Sequence, residues 1–508
     1  MRTQESPNKV ILIDKERKVT WKELTDLSNY AASQFIDAGI QKKSHVGLFC
    51  ANSLEWIVSY LALTRIGALP VLINYNYKSI ELKDIISYAD LEFLLYGDGY
   101  KKIKYIDLID SINFKQIPNF KACFDIGEKR FSNWMNSYED FDPSYYSIID
   151  SNIDTHDELN MIFTSGTTSR VKGVVLTHYQ MLNISSIQIE SMRWTEDDIV
   201  CLPLPFFHCF GLSCGLLASL NKNMLLCLTT TRSLSILQTI EKYRCTVLSG
   251  VPSMYKSLLN NKDFETFDLT SLKSGIVAGE CVNQKHFIEI SERCHVPYLQ
   301  QSYGQTETSP AITFTEYDDP VSFRGKTVGK VIDGLELRIF DNEKQCEVAN
   351  KDVGEIQVKG FNVLKNGYYK LEEENSTLYT EDNWLRTGDA GYLDENNYLF
   401  LTGRFKEMII KNGENICPTE IEDIILNYDG IQQVKVLGVC DDFCGEAIAA
   451  AYRSKSAKIE QELVEFVKQH LADYKVPKYF IRFEDFPTLE NGKIDIKKIK
   501  QIILKKLT

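Results

Sequence analysis

The feature that most constrains this chain is a rhythm. Short apolar runs alternate with amphipathic stretches of helical length: Val46-Gly47-Leu48-Phe49-Cys50, then Ser53 to Ile66, then Pro70-Val71-Leu72-Ile73. Parallel strands need crossover connections, usually helical, so the pattern predicts an α/β architecture with mostly parallel sheets. A chain of 508 residues is too long for one ordinary core and predicts at least two domains. From about residue 325 the texture changes to short strands and turns: Gly329-Lys330-Val331, Leu335 to Phe340, Gly354 to Val358 and Tyr398 to Leu401. A polar, glycine-led stretch follows, Gly403-Arg404-Phe405-Lys406-Glu407, and then Glu420 to Tyr428 and Glu460 to Leu471 read as helices among strands. The expectation is a large N-terminal domain (1–405) of αβ-layered sheets with a β-rich subdomain at about 325–403, and a small α+β C-terminal domain (406–508).

Charge narrows the partners. Seventy acidic against 57 basic residues leave a net charge of −13, unsuited to nucleic acid or an anionic membrane. Any bound phosphate must therefore meet local cations. The thirteen Cys form no CxxC pair, so neither a disulfide scaffold nor a zinc site is expected, and a reducing, cytoplasmic setting fits. Met1 to Glu5 lead into no apolar run, so no signal peptide is expected. The most apolar run, Leu212 to Leu220, is too short to span a bilayer and reads as buried core. Lys505-Lys506-Leu507-Thr508 is not a peroxisomal ending.

The stretch Thr164-Ser165-Gly166-Thr167-Thr168-Ser169-Arg170-Val171-Lys172-Gly173 is dense in hydroxyls, with two glycines and two cations. Small hydroxylated residues expose backbone N–H groups and add O–H donors, and Lys172 adds a positive charge, which suits a polyphosphate. The bland alternative is a surface turn. It is not a Walker loop: counted from Gly166, Val171 stands where that pattern needs Gly and Gly173 where it needs Ser or Thr. Leu159 to Phe163 reads as a strand entering the loop and Gly173 to Leu176 as one leaving it, with a helix only after the N-cap residue Thr177. The loop is thus expected at a hairpin tip.

Four further segments carry chemistry. Tyr303-Gly304-Gln305-Thr306-Glu307 closes an apolar strand, where α/β folds gather ligands. Thr306 can bond a phosphate and Glu307 can hold Mg²⁺ through oxygen; the bland reading is a turn with a solvated Glu. Trp384 to Asp389 ends in Gly-Asp, an acceptor for two ribose hydroxyls or an ordinary type I turn. Asn491-Gly492-Lys493 holds a lysine at a turn, either reaching into a cleft or solvated on a hairpin. His208, within Pro205-Phe206-Phe207-His208-Cys209-Phe210-Gly211, is by itself most simply a core histidine.

Taken in order, these segments resemble the AMP-forming acyl-CoA synthetase and adenylation superfamily, from about Lys18 to Lys493. That family includes fatty-acyl and aryl-CoA ligases, peptide-synthetase adenylation domains and firefly luciferase. The resemblance implies that Thr164, Ser165, Gly166, Thr167, Thr168 and Lys172 cover the β- and γ-phosphates of ATP. It implies that Gly279, Glu280 and Cys281 line the adenine, with Tyr303 stacked on it beside Gly304 and Gln305. Thr306 would touch the α-phosphate, Glu307 would ligate Mg²⁺, and Asp389, with Arg404 nearby, would hold the ribose. Lys406 matches a hinge about which a mobile small domain rotates. Lys493 matches the lysine between substrate carboxylate and α-phosphate, and His208 an aromatic gate. Gly413, Glu414 and Asn415 resemble the segment that enters the site for the thiol step. Ser169, Val171 and Asn412 depart from common Gly, Pro and Gly positions.

The implied chemistry is attack of a carboxylate on the ATP α-phosphorus, giving acyl adenylate and pyrophosphate, then transfer to a thiol. Two anions must meet, so Lys493, Lys172 and Mg²⁺ are expected there. Phe207 to Phe210 contains no carboxylate to pair an ammonium, which disfavours amino acids because a buried unpaired ammonium is costly. The acid pocket is expected around His208, Phe210, Gly211, Gly250, Val251 and Gly304, and suits an apolar monocarboxylic acid, fatty or aromatic. CoA is the expected acceptor, a separate acyl carrier protein the alternative. A non-catalytic nucleotide-binding module is a third reading, opposed by the presence of Lys493, Glu307 and Asp389.

Overall fold

A computed structural model of the chain describes residues 5–137, 149, 153–165, 171–280, 282–404, 409–411, 414–416, 418–441, 445–454, 459–471, 475–488 and 494–507. Two compact units emerge, Met1–Glu336 with Val358–Leu385, and Leu337–Gln357 with Arg386–Thr508. The β-rich stretch is divided between them, 325–336 and 358–385 falling in the first and 337–357 and 386–403 in the second. Lys406, where the sequence suggests a boundary, lies outside the described residues.

In chain order the first unit contributes β1 (Val10–Asp14), β2 (Arg17–Thr20), β3 (His45–Phe49), β4 (Leu69–Leu72), β5 (Phe93–Tyr96), β6 (Ala122–Asp125), β7 (Glu158–Ser165) and β8 (Val171–Thr177). Then come β9 (Ile199–Leu202), β10 (Leu225–Leu228), β11 (Val247–Leu248), β12 (Ser274–Val277), β13 (Tyr298–Tyr303), β14 (Thr313–Phe314) and β15 (Lys330–Val331). One sheet has the order β8-β7-β4-β3-β5-β6, the other β15-β14-β13-β12-β11-β9-β10-β1-β2. Their inner pairs are parallel, as the alternation of strand and helix predicts; β7–β8, β1–β2, β13–β14 and β14–β15 are antiparallel.

Local chemistry explains the crossovers. The helix Leu54–Ile66 starts where the Ser53 side chain accepts from the Trp56 amide at 3.2 Å. It ends at Gly67 with φ +79°, a left-handed cap that costs glycine little. Around the larger sheet Ile236, Ile240, Tyr255, Leu258, Phe287 and Ile290 pack against Cys201, Leu248, Val277 and Leu299. Leu212 to Ser219 are buried as expected, with a wider π-helical turn over Gly211–Leu217.

The second unit holds most residues of β16 (Leu335–Asp341), β17 (Cys346–Glu347), β18 (Gly354–Gly360), β19 (Leu385–Leu393) and β20 (Leu399–Arg404), in the order β17-β16-β18-β19-β20. Beyond them lie β21 (Ile409–Lys411), β22 (Glu414–Ile416), β23 (Ile431–Asp441), β24 (Gly445–Ser454) and β25 (Tyr479–Arg482). Alternate residues of the central pair β23–β24 bury on opposite faces. Val434, Val436, Ile448 and Ala450 meet Ile421, Ile425, Leu463 and Val467 of the helices Pro418–Leu426 and Glu460–His470. Leu437, Val439, Ala447 and Ala449 meet Ile499 and Ile503 of Ile496–Leu507.

Candidate active site

The hydroxyl-rich stretch does bridge two antiparallel strands. Lys172 lies directly across from Thr164, and Val171 from Ser165, so the lysine and the Thr164 hydroxyl share a face beside the tip. A helix follows at His178 only after a capping box: Thr177 Oγ1 accepts from the Gln180 amide at 3.2 Å, and Gln180 Oε1 accepts from the Thr177 amide at 2.9 Å. The tip residues Gly166, Thr167 and Thr168 lie outside the described residues, and Ser165 is described in backbone only.

Three neighbouring parallel strands deliver their carboxyl ends side by side. After β11 come Gly250 and Val251, after β12 Gly279 and Glu280, and after β13 Gly304 to Glu307. Gly250 bridges Val277, and its carbonyl accepts from the Ala278 amide at 3.3 Å. Gly279 has φ +88° and is exposed, with a built Cβ only 3.3 Å from Val251 Cγ1. Glu280 is exposed, whereas Tyr303 is buried. Cys281 lies outside the described residues.

The Gly304–Glu307 turn is held tightly. A Cβ on Gly304 would fall 1.9 Å from the Pro310 carbonyl, so only glycine fits. Gln305 enters a single 3₁₀ turn, Thr306–Thr308, in which Thr308 Oγ1 donates to the Gln305 carbonyl at 2.9 Å. Asn362, fully buried, donates to the carbonyls of Thr308 and Ala311 at 2.7 Å each, and accepts from Ser309 through its carbonyl at 2.7 Å. Thr306 stays half-exposed, while Glu307 is only 7% exposed, which removes the solvated-turn reading. Its Oε1 accepts from the Tyr368 hydroxyl at 2.7 Å, and its carbonyl from the Leu364 amide at 2.8 Å. Lys172 Nζ rests 4.4 Å from the centroid of the same Tyr368 ring. Burial, with the Glu307 charge adding to it, pushes the Tyr379 phenol up to about 12 and also raises the Cys209 thiol.

His208 is not the core residue its apolar surroundings suggest. It follows β9, exposed, its ring 4.3 Å from that of Phe207. The loop is clamped by Asn52, which accepts from the Phe206 amide at 2.9 Å and donates to the Leu204 carbonyl at 2.7 Å. Phe210 is half-buried, and a Cβ on Gly211 would fall 2.3 Å from the Pro205 carbonyl.

In the second unit, Asp389 sits in β19 directly across from Arg404 of β20. Gly388 there has φ +72°, within a strand rather than the type I turn the dipeptide also suits. The Asp389 amide donates to Thr387 Oγ1 at 3.1 Å, and that hydroxyl donates to the Ile356 carbonyl at 2.7 Å. Arg404, Glu414 and Asn415 are described in backbone only, the latter two in β22. Lys406, Gly413 and Lys493 lie outside the described residues; Thr488 and Ile494, flanking Lys493, form an antiparallel bridge.

The donors around Glu307 suit a hard cation. Among the described residues no group of three His, Cys, Asp or Glu gathers as a self-sufficient metal cage. One buried carboxylate, that of Glu307, is the sparse oxygen set that would suit Mg²⁺ where substrate phosphates complete its shell.

Tyr368, Asn362 and Asn52, which contact the candidate site residues or the loops that carry them, are side chains that motif reading passes over. Asn366-Gly367-Tyr368-Tyr369 did carry a signal, a glycine turn followed by paired aromatics.

A parallel sheet offering adjacent loops at its carboxyl edge, with a buried carboxylate and a lysine-bearing hairpin, defines a nucleotide-using α/β enzyme. The family model of AMP-binding enzymes matches residues 1–369, and that of the AMP-binding enzyme C-terminal domain residues 420–493. YngI of Bacillus subtilis, a proposed acyl-CoA synthetase, is 33% identical over 97% of this chain and 93% of its own. The mitochondrial medium-chain acyl-CoA ligase ACSF2 of Bos taurus is 27% identical over 95% and 83%. ATP-bound MatB of Rhodopseudomonas palustris superposes with a TM-score of 0.87 at 26% identity, over 99% of this chain and 97% of its own. The chain belongs to the AMP-binding enzyme family, among the AMP-forming acyl-CoA synthetases and ligases.

Proposed function

We propose that this enzyme activates an apolar monocarboxylic acid, fatty or aromatic, as its acyl adenylate and passes the acyl group to the thiol of CoA. The observation that carries the first half is the row of loops after β11, β12 and β13, with Glu307 buried at its end and Lys172 on the adjoining hairpin. A carboxylate cannot expel oxide, so its oxygen attacks the α-phosphorus of ATP, pyrophosphate departs, and AMP becomes the leaving group for the thiol. In our reading Tyr303 stacks on adenine against Gly279, Glu280 and Cys281, beside Gly304 and Gln305. Thr306 donates to the α-phosphate. Thr164, Ser165, Gly166, Thr167, Thr168 and Lys172 cover the β- and γ-phosphates, and Asp389 with Arg404 takes the ribose. Glu307 holds Mg²⁺, which when bound offsets phosphate charge. Lys493 neutralises carboxylate and phosphate as they bond, with about 10²- to 10³-fold in rate at stake for such a donor.

The acid would lie along His208, Phe210, Gly211, Gly250, Val251 and Gly304. The buried π-helical stretch Gly211–Leu217 carries no charge, which favours an apolar acid. Gly413, Glu414 and Asn415 would serve the thiol step, and Lys406 the hinge between an N-terminal domain and a C-terminal one; the two family matches leave 370–419 between them. A cytoplasmic setting accords with the free thiols of Cys50, Cys201, Cys227 and Cys245. Among the described residues no helix is long and apolar enough to cross a membrane.

Pyrophosphate exchange with a panel of fatty, aromatic and amino acids tests the substrate. Exchange with apolar monocarboxylates is expected; exchange with amino acids alone would refute the reading. Labelled acid offered with CoA or with a pantetheinylated carrier protein then tests the acceptor. Transfer to the carrier alone would overturn the choice of CoA.

A further inference from the structure

Lys172 and Glu307 carry opposite charges and touch the same side chain, yet no ion pair joins them among the described residues. Tyr368 stands between the two. Its hydroxyl donates to Glu307 Oε1 at 2.7 Å, while its ring face holds the Lys172 ammonium 4.4 Å from the centroid. Each contact has a physical consequence. The terminal torsion of a glutamate is broad and weakly restrained, so one hydrogen bond sets how the carboxylate is turned. A neutral phenol does this without cancelling the negative charge, as a lysine or arginine partner would. A ring face attracts an ammonium weakly, enough to station it but not enough to keep phosphate oxygens from claiming it.

Tyr368 is built to be rigid. Its amide donates to Asn375 Oδ1 at 2.6 Å, and its carbonyl accepts from Asn375 Nδ2 at 2.9 Å. The next amide, of Tyr369, donates to the Gly173 carbonyl of β8 at 2.8 Å, tying this segment to the strand that carries Lys172. Gly367, at φ +71°, leaves room for Asn375, whose side chain would lie 2.5 Å from a Cβ there.

We propose that Tyr368 is a positioning residue that keeps Lys172 and Glu307 apart before nucleotide binds, so that the carboxylate stays open to Mg²⁺ and the ammonium to polyphosphate. The proposal rests on the assignment of Glu307 as the metal ligand. Without both the ring and its hydroxyl, the lysine and the carboxylate pair with each other, and both must be released before ATP and metal are taken up.

The test is calorimetric titration of ATP, without acid or thiol, at a series of Mg²⁺ concentrations and again in EDTA. Proteins compared are wild type, Tyr368→Phe, Tyr368→Leu, Glu307→Gln and the double variant Tyr368→Phe/Glu307→Gln, each checked by thermal unfolding. Tyr368→Phe keeps the ring and loses the hydroxyl. It should raise the Mg²⁺ concentration for half-maximal binding about ten- to a hundredfold, as loss of a hydrogen bond to a charged group implies, and leave binding in EDTA unchanged. The double variant should show no shift beyond that of Glu307→Gln. Tyr368→Leu should also weaken ATP binding in EDTA several-fold; should it fail to fold, Tyr368→Phe carries the test. A normal Mg²⁺ dependence in Tyr368→Phe beside a shifted Glu307→Gln overturns the proposal and leaves the metal assignment standing. An unshifted Glu307→Gln removes the assignment, and the proposal falls with it. Additive shifts in the double variant, or unchanged EDTA binding in a folded Tyr368→Leu, also refute it.

Discussion

Two asparagine contacts and two glycines show how single residues hold this site. Asn362 is the only described side chain seen donating to both the Thr308 and Ala311 carbonyls. Asn362→Ala leaves two buried acceptors unmade, at about 1–3 kcal/mol each. Asn362→Asp keeps the shape but replaces the donor with an acceptor. Both variants should lower the unfolding temperature and weaken ATP binding; an Asn362→Asp protein that melts with wild type would show that the turn does not depend on these bonds. The glycines separate clash from backbone strain. At Gly304 an added Cβ meets the Pro310 carbonyl at 1.9 Å, whereas at Gly388, φ +72°, nothing lies within 4 Å. Gly304→Ala should therefore displace the Thr306–Thr308 turn and abolish pyrophosphate exchange. Gly388→Ala should cost only about 1–2 kcal/mol of left-handed strain and leave measurable exchange. Equal damage from both, read by exchange and unfolding together, would contradict this division.

Elements differ in how plainly they could be read. The hairpin β7–β8 was legible because its turn chemistry, its flanking apolar runs and the N-cap at Thr177 all agree locally. That agreement yields a prediction. Thr177→Ala removes one half of the capping box and should cost about 1 kcal/mol. Faster amide exchange is expected in the first turn of His178–Ser191, with Lys172 still stationed on Tyr368 and nucleotide binding kept; unchanged exchange there would mean the box contributes nothing. Gly-Asp at 388–389 was ambiguous for the converse reason: a left-handed glycine serves a turn or an irregular strand equally, and only the pairing of Asp389 with Arg404 decides. His208 misled because Phe206 and Phe207 bury themselves, and Phe210 does so in part, while the imidazole between them does not. Tyr368 follows a legible glycine turn, but its contact was not legible, since its partner Glu307 lies 61 residues away and no local period records such a pairing.

At the scale of the whole molecule the governing fact is a charge of −13 in an enzyme that must join two anions. The net field opposes ATP and carboxylate alike, and beyond about 8 Å physiological salt screens it. Neutralisation must then come from groups within bonding distance of the reacting atoms. In our reading different steps call on different groups: bringing carboxylate and α-phosphate together needs Lys493, whereas thiol attack on a finished adenylate joins no two anions of that kind. Lys493→Ala should therefore lower pyrophosphate exchange at least about 10²-fold, while acyl transfer to CoA from chemically prepared acyl adenylate stays within a few-fold of wild type. Raising the salt should not rescue exchange, because the missing charge acts at contact and not through the screened field. A comparable loss in both half-reactions would mean that Lys493 supports the fold or the site generally, and the division of labour between the two steps would have to be sought in other residues.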